Sequence, residues 1–253
     1  MAISINVDVK TEIIRPIKNW EELAALVPKY SSPKWIFRGV SKYPDEKLMP
    51  GIARPGTRKD SGNGRPGTVL PYDKAEEEKM FNEFKRLARP YFSESMTDLE
   101  CLALARHHGM PTRLLDWTDS ILVASFFALE PAGVGGTTPA VYALETDSFC
   151  VIDDNKDFDP FAPEHRGVAI YRPPHINPRI PAQQGLFTVH SQPGDSPQFS
   201  PDHLEVFTLP TKPEAFRLKE ALDYAGFNRA SLFPDLDGLT RQIAWKHKWG
   251  KLP

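Results

Sequence analysis

Several polar side chains in 107-HHGMPTRLLDWTDSILVASFFALE-130 lead directly into a strongly hydrophobic segment. Asp116 and Thr118 are two positions apart, so a strand would direct both side chains to one face. Arg113 and Arg38 each offer a planar guanidinium that can grip a phosphate or a carboxylate with two hydrogen bonds. We therefore predict a concave polar site for an anionic ligand where these segments meet.

The same residues also have a structural interpretation. Arg38 or Arg113 could form an internal ion pair with Asp116, because a buried guanidinium needs acceptors for its donors. His107 and His108 close a predicted helix, where cations interact favourably with the helix dipole whatever their function. Being adjacent in sequence, the two histidines point in different directions and cannot share a metal as an i, i+4 pair would. We predict no metal site.

A third polar stretch is 179-RIPAQQGLFTVH-190. Gln183 and Gln184 lead into a predicted strand, and Gly185 permits close backbone approach. These amides either pair with neighbouring backbone or contact a polar ligand, and the residues leave both interpretations open. The sequence has no Ser-His-Asp spacing, P-loop or GxGxxG motif, and PAGVGGT lacks the lysine of a phosphate-binding loop.

The composition is that of an ordinary folded protein, and it argues against several functional classes. The 253 residues are 40% hydrophobic and 25% charged, and a net charge of −2 gives no global positive field to attract nucleic acid or anionic lipid. Two cysteines are too few for a disulfide framework. No apolar run approaches the roughly 20 residues that span a bilayer, and the N-terminus lacks a signal-peptide pattern. We expect a cytosolic protein without a membrane partner.

Caps and hydrophobic periodicity predict the elements that must position the polar residues. Asn19, Asp73 and Thr97 stand at N-cap positions, and Glu100 completes a capping box with Thr97. Helices are predicted over 19–29, 73–89, 97–109, 120–130 and 213–228, with a turn and helix over 231–246. Strands are predicted over 34–40, 114–117, 139–145, 166–172, 183–190 and 204–209.

Two of these helices carry specific expectations. The helix 120–130 is hydrophobic nearly all round and therefore central, and Thr118 or Asp119 is expected to cap it. The buried stripe of the helix 73–89 is predicted to consist of Met80, Phe81, Phe84 and Leu87.

We predict one α+β domain with mixed or antiparallel sheets and flanking helices. Residues 1–17 are an expected N-terminal extension and residues 18–253 the domain. Residues 54–71 are rich in glycine and proline and are expected to form a mobile loop.

Four segments, in order, resemble the FRG domain family, which is named for its Phe-Arg-Gly. They are FRG (37–39), HHGMPTRLLDWTDSILVASFFAL (107–129), RIPAQQGLF (179–187) and SLFPDLDGL (231–239). PTRLLDWT is the most specific part. The family pattern has Gln-His before the Gly-Pro-Thr-Arg turn, whereas Arg106 stands at the Gln position here. The resemblance implies a role in bacterial or phage-related conflict, as a toxin or an antiviral defence effector, with an antitoxin or regulatory protein as a possible partner.

The order of these segments is also similar, more distantly, to the ADP-ribosyltransferase fold. That resemblance implies an NAD-dependent ADP-ribosyltransferase or NAD glycohydrolase, with NAD as substrate and a protein, nucleic acid or water as acceptor. It implies that Arg38 clamps NAD while Asp116, Thr118 and Gln184 surround the reacting ribose. The other NAD-binding residues it implies are Gly39, His107, Thr112, Arg113, Trp117 and Gln183.

One position departs from the ADP-ribosyltransferase pattern. That fold carries a glutamate on the later strand where Gln184 stands, and a neutral amide stabilises a developing cation less than a carboxylate does. Glu145 or Glu205 could substitute, and nothing in the sequence selects either.

Two other functions remain open. The chain could be a non-catalytic module that recognises a nucleotide or a nucleic-acid end, or a protein–protein domain in which Arg38 and Asp116 form an internal ion pair. The basic and aromatic stretch 241-RQIAWKHKWGK-251 could stack on RNA, although a solvated helix explains the same pattern.

Overall fold

The computed structural model describes residues 13–45, 48–57, 59, 67–91, 96–130, 137–152, 158–162, 167–195 and 199–252. The strands in these ranges are β1 (Ile13–Pro16), β2 (Trp35–Tyr43), β3 (Leu114–Thr118), β4 (Thr138–Glu145), β5 (Cys150–Ile152), β6 (Val168–Tyr171), β7 (Gly185–His190) and β8 (Leu204–Thr208). The helices are α1 (Trp20–Ala24), α2 (Leu26–Lys29), α3 (Lys74–Leu87), α4 (Asp98–His107), α5 (Ile121–Leu129), α6 (Arg179–Ala182), α7 (Glu214–Tyr224), α8 (Arg229–Leu232) and α9 (Leu236–Lys248).

The strands form one mixed sheet in the order β1-β8-β4-β2-β3-β7-β6-β5. Neighbours run antiparallel except at the two edges, where β1 is parallel to β8 and β5 is parallel to β6. The prediction of an α+β fold with a mixed sheet and flanking helices is confirmed. In the middle of the sheet β2 and β3 share one registered pair, Phe37 with Thr118, whereas β2 pairs with β4 along most of its length. The sheet therefore opens between β2 and β3.

The helices begin where the sequence predicts because their caps are local. Asn19 and Asp73 accept hydrogen bonds from backbone N–H groups, and Thr97 forms a capping box with Glu100. The six predicted strands correspond to β2, β3, β4, β6, β7 and β8. Strands β1 and β5 were not predicted, since edge strands of four and three residues leave little alternation to detect.

The predicted cap of α5 is wrong. Ser120 caps the helix, and its Oγ accepts the backbone N–H of Val123 at 3.3 Å. Thr118 stands two residues before the cap position, and its Oγ1 accepts the N–H of Ser120 while it donates to the carbonyl of Gln183. The Asp119 carboxylate is held by Arg172.

The predicted stripe of α3 is only partly correct. Phe81 is buried, Met80 and Phe84 are half-buried, and Leu87 is 59% exposed near the end of the helix. The buried face instead includes Glu77, one turn before Phe81. A carboxylate therefore lies in the core, where it requires a partner.

Helices cover one face of the sheet in two groups. One core cluster joins α5 and α7 to the half of the sheet that contains β2, β4 and β8, with Phe37 and Phe207 among its members. A second cluster joins α3 and α4 to the half that contains β3, β6 and β7, with Leu114 and Val189 among its members. Because the sheet opens between the two halves, space remains between α4 and α5.

Helix α5 lies directly against β2 at the glycine of the Phe-Arg-Gly motif. A Cβ atom at Gly39 would lie 1.9 Å from the carbonyl oxygen of Ala124 and 2.7 Å from the nitrogen of Ala128. Both atoms belong to the helix backbone and cannot move aside. Helix packing therefore requires glycine at this position.

Parts of the predicted extension and of the predicted loop lie outside the described residues. Of the expected extension 1–17, residues 13–16 form β1 and pair with β8. Of the expected loop 54–71, residues 58 and 60–66 are not described, and its mobility stays a prediction. Among the described residues, no helix combines the length and apolar character needed to cross a membrane.

Candidate functional site

A cavity of about 490 Å³ lies between α4 and α5, above the opening between β2 and β3. Residues of β2, β3 and β7 line it from the sheet, and residues of α6 and of the segment after α8 line one side. Its volume is within the roughly 300–1,000 Å³ of typical small-molecule sites.

Three charged side chains from different elements meet in this cavity: Arg38 from β2, Asp116 from β3 and Arg106 from α4. Arg106 donates from Nη2 and Nε to Asp116 Oδ2, at 2.6 and 3.0 Å. Arg38 Nη1 donates to the backbone carbonyl of Asp116 at 2.7 Å and lies 3.6 Å from Oδ2. The side chain of Arg38 is 10% exposed and that of Asp116 is 44% exposed. We call these residues the Arg38–Arg106–Asp116 cluster.

The two arginines keep the Asp116 carboxyl ionised. Burial alone would raise its pKa, but the charge and hydrogen bonds of Arg106, together with the charge of Arg38, hold that pKa below its ordinary value. The charge of Asp116 in turn raises the pKa of Arg106. With two guanidiniums and one carboxylate, the cluster has a net positive charge at neutral pH.

A third arginine reaches the cavity from α6. Arg179 donates from Nη2 and Nε to Asp235 Oδ2, at 2.5 and 3.1 Å, and its guanidinium carbon lies 5.2 Å from the centroid of the Phe233 ring. His107, at the end of α4, also lines the cavity. Burial and then the charge of Arg179 lower the pKa of His107, which favours a neutral imidazole at pH 7.

Aromatic rings form part of the walls. Phe233 contacts Phe127 of α5 edge to face, with 5.9 Å between ring centroids, and Phe37 and Phe187 line the cavity from the sheet. Such rings offer flat apolar surface to a base or another planar group.

Three predicted site residues line the cavity with their polar groups engaged by the scaffold. Thr118 Oγ1 donates to the carbonyl of Gln183 at 2.7 Å, and Gln183 Nε2 donates to the carbonyl of Leu232 at 2.9 Å. Trp117 Nε1 donates to Thr188 Oγ1 at 3.0 Å. These bonds fix the shape of the cavity.

The family model of the FRG domain matches residues 33–133. Residues 33–133 form an FRG domain by this match. The matched range includes FRG and PTRLLDWT, and with them every member of the Arg38–Arg106–Asp116 cluster. It ends before RIPAQQGLF and SLFPDLDGL, which supply Arg179 and Phe233. No curated protein and no solved structure matches the chain significantly.

Two predicted binding residues of the FRG domain lie away from the cavity. Arg113 is 1% exposed, donates from Nε and Nη2 to Glu77, and donates from Nη1 to the carbonyl of Pro160 at 2.5 Å. Thr112 is fully buried, and its Oγ1 accepts the N–H of Leu114. A ligand in the cavity cannot reach the guanidinium of Arg113, so this arginine stabilises the fold.

The predicted later-strand groups also lie elsewhere. Gln184 is exposed, has a φ of 47° and is not among the residues lining the cavity. Glu145 forms an ion pair of 2.6 Å with Lys34, and Glu205 accepts the hydroxyl hydrogen of Tyr30 at 2.8 Å. Among the described residues that line the cavity, Asp116 is the residue that carries a carboxylate.

The sequence did not assign Arg106, Arg179, Phe127 or Phe233 to the site. Arg106 had a signal, since it stands where the family pattern has Gln, next to His107. Arg179 and Phe233 lie within the segments that carry the resemblance, but nothing in their spacing brings them together. Within the described part of the chain, no group of three or more His, Cys, Asp or Glu side chains is arranged to hold a metal ion.

Proposed function

We propose that the cavity of this FRG domain binds a nucleotide of the NAD type. The observation that carries the proposal is that the described residues lining the cavity include three guanidiniums, several aromatic rings and one carboxylate. Guanidiniums bind phosphate with paired hydrogen bonds, and aromatic rings accept a planar base. A nucleotide combines these two features in one molecule.

The charges support an anionic ligand. Arg38 and Arg106 outnumber Asp116, and Arg179 is balanced by Asp235 at the edge of the cavity. A phosphate that enters the cavity therefore meets guanidiniums in a partly desolvated space, where electrostatic interactions are stronger than in water.

The chemistry we propose for such a ligand is cleavage of the bond between nicotinamide and ribose, by an ADP-ribosyltransferase or an NAD glycohydrolase. Asp116 supports it, because an ionised carboxylate beside the ribose would stabilise the positive charge that develops when nicotinamide leaves. Arg38, Asp116 and Thr118, which the resemblance to the ADP-ribosyltransferase fold assigns to the NAD site, line one cavity, whereas Gln184 does not line it.

One observation favours a second function, nucleotide recognition without catalysis. Arg106 holds Asp116 through two hydrogen bonds to Oδ2 and a longer one to Oδ1, and this pairing offsets the negative charge that an oxocarbenium ion would need. A carboxylate neutralised in this way is suited to binding rather than to charge stabilisation.

Incubation with NAD separates these functions. Binding is measured by calorimetry and free nicotinamide by chromatography, for the wild type, Arg38→Ala and the control Arg172→Ala, whose arginine pairs with Asp119 outside the cavity. Nicotinamide release that Arg38→Ala abolishes and Arg172→Ala retains supports the enzyme. Binding without release supports the recognition module. Absence of binding, with a large fall in the melting temperature of Arg38→Ala, would instead support the protein–protein domain.

The cellular role we propose is that of a conflict effector, either a toxin or an antiviral defence protein. Growth and NAD levels after induced expression of the wild type and Arg38→Ala test this role. We expect slower growth and depleted NAD with the wild type alone. Equal growth and equal NAD in both cultures would contradict an effector that consumes NAD.

A further inference from the structure

The two carboxylate oxygens of Asp116 have different surroundings. Oδ2 accepts both hydrogen bonds from Arg106, at 2.6 and 3.0 Å, and has Arg38 Nη1 at 3.6 Å. Oδ1 accepts a longer hydrogen bond from Arg106 Nε, at 3.3 Å, and is the less engaged oxygen as far as the described side chains show. The side chain remains 44% exposed although it lies among charged neighbours. Oδ1 is therefore the oxygen that can accept a hydrogen bond from a ligand.

The chemistry of Oδ1 restricts which part of a ligand it faces. An ionised carboxylate only accepts hydrogen bonds, and it repels phosphate. The adjoining ligand group must therefore be a neutral donor. In a nucleotide the candidates are the ribose hydroxyls and the amino or amide groups of the base.

The arrangement of the walls favours the ribose. Phe127 and Phe233 offer ring surface for the base, whereas Arg38 and Arg106 stand beside Asp116 and attract phosphate. The ribose is the part of a nucleotide that connects base and phosphate. A hydroxyl next to the phosphate is thus the donor that comes closest to a carboxylate flanked by guanidiniums.

We propose that Asp116 Oδ1 accepts a hydrogen bond from a ribose hydroxyl, so that the cavity selects ribonucleotides over deoxyribonucleotides. This inference rests on the proposed nucleotide-binding function and gives it a substrate class. Asp116 acts here as a specificity-determining residue, held in place by Arg106.

The test compares ribonucleotides with their deoxy analogues. Dissociation constants are measured by calorimetry for ADP and nicotinamide mononucleotide, each beside its 2′-deoxy and 3′-deoxy forms. We expect at least one deoxy form to bind about tenfold more weakly than its parent, since a hydrogen bond to a charged group contributes that much. Equal affinity across both series would overturn the inference while leaving nucleotide binding intact. Absence of binding by either parent would overturn the proposed function and the inference together.

Two variants assign the selectivity to one side chain. Asp116→Asn keeps the shape but removes the charge, and we expect the ratio of deoxy to parent dissociation constants to fall to about twofold. Asp119→Asn is the matched control, because its carboxylate is also held by an arginine, Arg172, but does not line the cavity. A ratio that persists in Asp116→Asn, or that falls equally in both variants, would overturn the assignment. If Asp116→Asn does not fold, the comparison of ligands on the wild type decides alone.

Discussion

Two arginine–carboxylate groups lie close together in the chain and use the same chemistry in different ways. Arg106, at the end of α4, binds Asp116 beside a cavity, and Arg113, before β3, binds Glu77 in the core. In each pair one guanidinium donates through both Nε and Nη2 to one carboxylate. The difference lies in how much hydrogen-bonding capacity remains and in whether solvent can reach it.

The Arg113–Glu77 pair has little capacity left. Both side chains are 1% exposed, both oxygens of Glu77 accept from Arg113, and Tyr72 adds its hydroxyl at 2.8 Å. The guanidinium carbon of Arg113 lies 4.1 Å from the centroid of the Phe161 ring. Burial and then the charge of Glu77 raise the pKa of Tyr72, so its proton stays in this network. A pair enclosed in this way joins α3 to the sheet and cannot bind a ligand.

The Arg38–Arg106–Asp116 cluster keeps an accessible carboxylate oxygen and a surplus of positive charge beside an open space. An arginine in a strongly matching motif is therefore not by itself a ligand-binding residue. Its remaining donors and its access to a cavity decide its role.

Removal of the buried Glu77 carboxylate should lower the free energy of unfolding more than any other change proposed here. Glu77→Ala leaves the Arg113 guanidinium buried without its partner, which costs about 3–5 kcal/mol of the free energy of unfolding. Urea denaturation followed by circular dichroism measures the loss. Glu78→Ala is the control, because Glu78 is on the same helix and forms an exposed i, i+4 pair with Lys74 that contributes little. Similar losses in both variants would show that the buried pair is not a special contributor to stability.

Replacement of Arg106 should separate binding from stability. Arg106→Gln retains one amide donor near Asp116, and solvent in the cavity can compensate the carboxylate, so we expect at most about 1 kcal/mol of destabilisation. Loss of the guanidinium should weaken ADP binding about tenfold, because one charged contact to phosphate is removed.

The control for this variant is Arg172→Gln, which breaks an exposed pair outside the cavity and should leave ADP affinity unchanged. A destabilisation of Arg106→Gln as large as that of Glu77→Ala would make the two groups equivalent. The distinction between a structural Arg113–Glu77 pair and a ligand-binding Arg38–Arg106–Asp116 cluster would then be wrong.

The elements of the fold could be predicted because their signals are local. The capping box of Thr97 and Glu100 lies within four residues, and the alternation of Asp116 and Thr118 with apolar neighbours lies within one strand. The proximity of Arg38 and Asp116 could be predicted because both residues stand in the segments that carry the family pattern. The finding that Ser120 caps α5 needed the structure, since Thr118 and Asp119 have partners that are distant in sequence.

An internal ion pair was one interpretation of Arg113, but its partner could not be predicted, because Glu77 lies 36 residues away on a helix whose sequence is mostly charged. Glu77 shares the spacing of Phe81 and Phe84, and this spacing was the available sign that it faces the core. Arg179 and Phe233 enter the cavity from beyond the matched range, through contacts that only the folded sheet brings together. Their position at the cavity therefore could not be predicted from local sequence patterns.

The weakest change we predict is the contribution of Asp116 to the pH dependence of the free energy of unfolding. Its pKa in the folded protein lies below its unfolded value, so its ion pairs add stability above about pH 4 and lose it as the pH falls through the folded pKa. The difference in free energy of unfolding between the wild type and Asp116→Asn should therefore be constant near neutrality and shrink in acid. Because the side chain is 44% exposed, the change should be small and weaker still in 1 M salt.

The direction of this change distinguishes the two influences on the carboxyl. If burial outweighed the arginines, the pKa of Asp116 would be raised, and the difference between wild type and Asp116→Asn would change between about pH 4 and pH 7 instead. Thermal melts at closely spaced pH values resolve the two cases. A change confined to acid below about pH 4 would show that Arg106 and Arg38 control this carboxyl, as a ligand-binding group beside a cavity requires.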